Sequence, residues 1–480
     1  MQRRRFLSTA AGAAMAATTG AAEVLQRKGP AAPRPASGPL RVHPKNPRYF
    51  ADGTGRAVRL GGHQVFCDLQ DNSFCKRTTY GNKRRLDWNW YLDFAQQRQL
   101  NYLRNWIIWS TGNGTSDPVK IARPMMFART GPGVAADGLP KFDLTRFDPT
   151  FFDRLHDRVQ QAGRRGIYVS IMLFEPYGFG PGEESLWRGN VLNKANNING
   201  IDVNRDGNDW GTEFFYPRNS AIRELQLAYV NKVIDTVNNL DNVLFEIANE
   251  VYAPEWQHEL IRHIHRYEAR KPKQHLVYMS PGGRTEKGTW ANHSRAHLVR
   301  GPADIVGIKL APRDRFLRDP PLANSAKPVF WDNDHGLARV DPCPHRVPWL
   351  ALMRGYHFCL YDHPFESPTD ESAEWDRTRR NIGATNRYAR RFRDLSRMEP
   401  HHPFASTNFC LADPGREYLV YAPRGGIVNV DLSAANTLMS AEWFAPLTGR
   451  TVHAKAVPGG TPQRLVAPFA GDAVLHLVQR

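Results

Sequence analysis

Cysteine is scarce. The chain has five in 480 residues, at positions 67, 75, 343, 359 and 410. So few thiols exclude a disulfide-framework protein, and no Cys/His cluster has zinc-ligand spacing. Cys67 and Cys75 suit a local disulfide in an oxidising compartment, and read equally well as buried thiols. Long apolar runs are also missing. Beyond the N-terminus nothing stays apolar for the ~18 residues that a membrane span needs. No serine sits in a nucleophile elbow, so peptidase chemistry has no support. Acidic residues are outnumbered, 47 against 64 Lys and Arg, for a net charge of +17. Such an excess favours anionic partners. The basic residues are nevertheless scattered, many beside acids, and form no nucleic-acid module.

What is present points to an exported, two-domain protein. A length of 480 residues exceeds one ordinary core and implies a large domain and a smaller one. Arg3-Arg4-Arg5-Phe6-Leu7 precedes a small, Ala-rich run to about Ala22. That is a signal-peptide layout with a twin-arginine head, which predicts a periplasmic or secreted protein. Residues 1–40 are then export signal and linker. Aromatics are generous, with 12 Trp and 16 Tyr. They serve core packing first and sugar-lining surfaces second.

The spacing of apolar runs predicts a (β/α)₈ TIM barrel over 41–400. Eight short β-prone segments end near Gln64, Trp106, Phe174, Glu250, Ser280, Leu310, Asp334 and Asp362. Helical periodicity separates most of them, most clearly over 86–100, 149–163, 221–238, 254–270 and 371–398. The connection between the fifth and sixth strands is poor in helix. Residues 111–147 and 176–217 are long excursions of the kind that shape a cleft. From 401 the chain changes to short alternating runs between Gly, Pro and Asp turns. This predicts a small β-sandwich over 401–480.

In such a barrel the C-terminal strand ends carry the chemistry. The fourth strand delivers Asn249 and Glu250, and the seventh delivers Asp332 and Asp334. Facing carboxylates are what glycosidic cleavage needs: one protonates the leaving oxygen, the other attacks or activates water. The blander reading makes Glu250 a helix cap or ion-pair member and the two aspartates a turn. Asn249 suits a sugar hydroxyl, and Arg104 suits the orientation of a carboxylate. His63, Trp109, Glu175, Tyr278, Trp331 and His335 also sit at strand ends and are candidate substrate-binding residues. This chemistry requires no cofactor. A separate loop, Asp202, Asn204, Asp206, Gly207, Asn208 and Glu213, has the spacing of a calcium-binding loop and predicts a structural calcium, with a solvated turn as the alternative.

Several stretches carry a family resemblance. Asn46-Pro47-Arg48-Tyr49-Phe50 with Asp52-Gly53-Thr54-Gly55, the Gly211-Thr212-Glu213-Phe214 loop, and Asp241-Asn242 through Asn249-Glu250 resemble bacterial cellulase-like glycoside hydrolases of clan A type. The tail, with Ala412-Asp413-Pro414-Gly415-Arg416-Glu417-Tyr418 and Pro468-Phe469-Ala470-Gly471-Asp472, resembles the Ig-like domain labelled collagen-binding at the end of such proteins. The resemblance spans nearly the whole chain beyond the leader. It implies a barrel with the acid/base at Glu250, preceded by Asn249, and a polysaccharide or oligosaccharide substrate. Clan members place a second glutamate at the end of strand seven. This sequence has Asp332, Asn333 and Asp334 there, which leaves the nucleophile and the retaining mechanism open. A carbohydrate-binding scaffold without turnover is the competing expectation.

Overall fold

The structure is a computed structural model. It describes residues 34–71, 86–111, 122–179, 186–204, 207, 211–217, 219–308, 322, 325–333, 341–362 and 373–480. The leader falls outside them. Eight parallel strands close into a barrel. They are β1 Gly61–Val65, β2 Tyr102–Trp106, β3 Tyr168–Phe174, β4 Val243–Ala248, β5 Val277–Met279, β6 Ile305–Ile308, β7 Val329–Asn333 and β8 His357–Tyr361. Closure pairs β8 with β1, from Phe358 opposite Gly61 to Tyr361 opposite Gln64. Strands covered on both faces need apolar side chains on both, which is why they read as apolar runs.

Seven helices cover the barrel among the described residues: α1 Trp88–Gln97, α2 Pro149–Arg164, α3 Ser220–Val237, α4 Pro254–Glu268, α5 Arg295–Val299, α6 Val347–Met353 and α7 Ala373–Arg391. Several start at a short polar side chain. Asp87 accepts from Trp90 N, and Asn219 from Ala221 N. Asp148 accepts from Thr150 N, with Pro149 preset for the first turn. As expected, the β5–β6 connection holds little helix. It carries a hairpin, Gly282–Arg284 with Trp290–Asn292, and the five-residue α5. The excursion after β2 contains a second hairpin, Phe127–Val134 with Pro140–Phe147.

Two cores result. Tyr102, Tyr168, Leu244, Tyr278, Ile305, Phe330 and Cys359 fill the barrel interior. A larger layer lies between strands and helices. The first strand begins later than expected. Ala57–Val58 belongs to a separate three-stranded sheet with Arg41–Val42 and Phe50–Ala51. That sheet plugs the barrel floor, where Phe50 meets the His357 ring at 4.4 Å and the Phe330 ring at 6.3 Å.

His357 is held neutral in this plug. Its Nδ1 accepts from Leu60 N at 2.9 Å, which leaves Nε2–H to donate to Arg48 O at 3.1 Å. Burial, reinforced by the Arg59 charge, pushes its pKa down to about 3. The unfolded chain therefore takes up this proton first. The stability that neutral His357 provides is complete above pH ~6.5 and lost as pH falls through ~3, on the order of a few kcal/mol. In thermal melts over that window, His357→Gln should show a shallower fall in Tm than wild type. Parallel curves would refute this.

The tail forms a six-stranded antiparallel sheet and a two-stranded one, consistent with a β-sandwich. The strands are β9 Glu399–Pro400, β10 Cys410–Asp413, β11 Glu417–Ala422, β12 Ile427–Val430, β13 Leu438–Phe444, β14 Thr451–Pro458, β15 Gln463–Val466 and β16 Ala473–Gln479. It packs on α6 and α7. The Trp349 ring stacks on Tyr421 at 6.1 Å, and Tyr388 meets Phe444 at 5.8 Å. Glu442 accepts from Tyr388 Oη at 2.9 Å and from Arg391 at 2.8 and 3.0 Å. No helix among the described residues is long and apolar enough to cross a membrane.

Candidate functional site

The site is built around a buried guanidinium. Arg104 on β2 is 1% exposed and Glu246 on β4 is 0% exposed. Arg104 grips both carboxylate oxygens, Nε to Oε2 at 2.7 Å and Nη2 to Oε1 at 2.5 Å. Its reach crosses β3, which lies between the two strands and offers the small Ser170 there. Two more bonds fix neighbours at the strand ends. Arg104 Nη1 donates to Gln64 Oε1 at 2.6 Å, which also accepts from Trp106 Nε1 at 3.0 Å. Arg104 Nη2 donates to Asn249 Oδ1 at 2.9 Å. With its carbonyl oxygen held inward, Asn249 presents its NH₂ as the donating group.

Glu250 follows at once, and its backbone is unusual. Its φ is +47°, in the left-handed region that a residue with a side chain enters at a cost of about 1–2 kcal/mol. The surroundings hold it there. Arg284 N donates to Glu250 O at 2.8 Å, and Tyr252 N to Arg284 O at 2.9 Å. The hairpin lies so close that a Cβ on Gly283 would sit 1.7 Å from the Glu250 carbonyl carbon. Backbone strain of this kind concentrates at working sites. Glu250 is half-buried, whereas Asn249 is buried.

The structure brings Arg104, Asn249 and Glu250 together, and it separates several other expected residues from them. His63 is buried on the outer side of β1, stacked on Tyr91 and Phe94 of α1. Its Nδ1 bonds Asp362 at 2.9 Å, and Arg379 of α7 grips the same carboxylate. Against the burial that would raise it, Arg379 and His63 hold the Asp362 carboxyl down at about 2. This triad seams the barrel closure. Trp109 packs among Phe127, Phe174, Phe179, Phe214 and Tyr229 in the outer layer. Trp331 lies in the outer layer too, against Phe358. Both rings are fully buried, which removes them from a cleft. Glu175 caps a turn, accepting from Gly178 N at 2.9 Å and Trp109 N at 3.3 Å. Tyr278 is packed in the barrel interior over Gly307, whose Cβ would meet the phenol oxygen at 2.3 Å.

The seventh strand, β7, runs through Asp332 and ends at Asn333. Asp334 and His335 lie outside the described residues. So do Asp206 and Asn208 of the calcium-type loop. Asp202 Oδ1 accepts from Asn204 N at 3.0 Å and its carboxylate lies 3.5 Å from Lys194 Nζ. Glu213 opens a turn of 3₁₀ helix at Thr212–Phe215. Among the described residues no group of three or more His, Cys, Asp or Glu is placed to hold a metal. Cys67 is disulfide-bonded, and Cys75, its expected partner, lies outside the described residues.

Sequence reasoning missed Gln64 and Glu246. The signal for Glu246 was present: an acid inside Val-Leu-Phe-Glu-Ile-Ala must find a buried cation, and Arg104 lies within another apolar strand of the same barrel.

A family described as "Domain of unknown function (DUF6298)" matches residues 123–310. No curated protein matches the chain. Among solved structures, one described as "Glycoside hydrolase" is 13% identical with a TM-score of 0.59, over 92% of this chain and 97% of its own. A glycoside hydrolase family 5 structure from Bacteroides vulgatus is 14% identical with a TM-score of 0.60, over 93% and 95%. At such identity the likeness is one of fold, and it extends over nearly the full length of each chain.

Proposed function

We propose that the protein is a glycoside hydrolase acting on a polysaccharide or oligosaccharide, with Glu250 as the proton donor. The observation that carries this reading is the Asn249-Glu250 pair at the end of β4. Arg104 clamps the amide, and the hairpin clamps the acid's backbone. Asn249 donates to a hydroxyl of the sugar beside the scissile bond, and Glu250 protonates the leaving oxygen. Asp332 or Asp334 of strand seven is the second carboxylate, as nucleophile or as base for water. Likeness of fold to two glycoside hydrolases supports the class of reaction. The chain works outside the cytoplasm, and the disulfide at Cys67 supports that placement.

The test is hydrolysis of a panel of plant and bacterial polysaccharides and aryl glycosides by wild type and Glu250→Gln. Removing a general acid lowers turnover by about 10²–10⁴-fold. An aryl glycoside with a good leaving group should lose less than a natural glycan, because it needs less protonation. Equal activity of variant and wild type would move the acid elsewhere. Binding without turnover by either protein would favour the scaffold reading.

A further inference from the structure

The C-terminal domain holds a cavity of about 380 Å³ far along the chain from Glu250. Its walls come from the segment after α7, the β10–β11 turn and the end of β16. The volume falls in the range of small-molecule sites. Three guanidiniums line it, from Arg393, Arg397 and Arg416, along with three carboxylates. By count the charges cancel, but their commitments differ.

Each carboxylate already has an internal partner. Asp413 takes both bonds of Arg397, at 2.6 and 3.1 Å. Glu417 accepts from His476 Nε2 at 2.8 Å and from Arg393 N at 2.9 Å. Asp394 caps its own turn through Ser396 N and Oγ, at 3.0 and 2.6 Å. The cations are less occupied. Arg393 spends one Nη2 bond on Gln479 O at 2.6 Å. Arg416 is exposed, and among the described residues its guanidinium makes no hydrogen bond or ion pair. The turn that carries it is fixed: Gly415 has φ +83°, its N–H donates to Tyr418 Oη at 2.7 Å, and Arg416 O accepts from Gln479 N at 2.8 Å. The cavity therefore presents unspent guanidinium donors on a rigid wall, with the Asn436 and Gln479 amides beside them.

We propose that this cavity binds an acidic sugar, a uronate residue of a glycan. A carboxylate pairs with the Arg416 fork, which matches its planar geometry. The ring hydroxyls bond to the Asn436 and Gln479 amides. Among the described residues no aromatic lines the cavity, so a neutral sugar finds no stacking platform there. The site is separate from the barrel chemistry and anchors the chain on a polyanionic glycan, in keeping with the net charge of +17.

The test is calorimetric titration of the full chain with tri-galacturonate, its methyl ester and inorganic phosphate. Tri-galacturonate should bind, more weakly at high salt, and the neutral ester should not. Arg416→Glu should weaken binding at least tenfold and Asn436→Ala severalfold, with unchanged Tm because both side chains are exposed. Glu250→Gln should bind as wild type, which separates this site from the barrel. Wild-type affinity in Arg416→Glu would overturn the proposal, as would phosphate binding as tightly as the uronide, the mark of a bare anion site. Neither result bears on hydrolysis.

Discussion

Replacing Arg104 with Met should cost about 3–5 kcal/mol of stability, because Glu246 would keep a buried charge without its partner. Both groups are almost fully shielded from water, and the guanidinium spans from β2 to β4. Equilibrium denaturation should show the loss. The double variant Arg104→Met/Glu246→Gln should recover most of it, since removing both charges removes the desolvation problem along with the attraction. Activity should not recover, because Asn249 Oδ1 would still lack the donor that orients it. Stability and catalysis thus part company in the double variant. A single variant as stable as wild type would mean that Glu246 takes up a proton or water at little cost, and that Arg104 is not needed to hold it.

Gly283→Ala should be comparably damaging for a different reason. The added methyl would lie 1.7 Å from the carbonyl carbon and 1.8 Å from the oxygen of Glu250. Both are backbone atoms, so no side-chain rotation relieves the contact. The hairpin must move, and with it the bonds from Arg284 N to Glu250 O and from Tyr252 N to Arg284 O. Overpacking of this kind costs about 1–3 kcal/mol or more. With Glu250 as the proposed proton donor, the catalytic cost is larger, since an ångström of displacement in a reacting group lowers rate by about 10²-fold. The expected outcome is a folded protein of reduced Tm whose kcat falls far more than its affinity for substrate. Full activity in Gly283→Ala would show that the left-handed turn at Glu250 is not required.

The barrel was legible in the sequence because a strand buried on both faces has to be an apolar run, and eight such runs alternate with helical periodicity. The residues that face the axis were less legible, for a definable reason. On β1 the two residues before His63 are Gly61 and Gly62, so no apolar alternation sets the parity. A one-residue error then exchanges His63 for Gln64. On β7, Phe330 and Trp331 are both aromatic and both buried, one inside and one outside, and composition cannot order them. The polar end of β4 was easier, since Asn249-Glu250 breaks an apolar run abruptly. In the tail the sandwich was legible only as a change to short alternating runs, since strands as short as the four residues of β10 and β15 barely show alternation.

Helix α7 serves two halves of the molecule at once. One face closes the barrel through Arg379 on Asp362 and through Asn386, whose Nδ2 donates to Gly61 O at 2.8 Å. The other face, with Asn381, Tyr388 and Arg391, is completed by Pro446 and Glu442. Consider this as the ribosome sees it. Strand β8 cannot be locked to β1 until α7 has emerged, and α7 then waits with its tail-facing side uncovered until residues beyond 440 follow. At about 5–20 residues per second that wait lasts several seconds. Assembly is therefore a last-minute event in synthesis. A premature stop before residue 440 would leave that face, Tyr388 included, uncovered for a chaperone to hold or a protease to find.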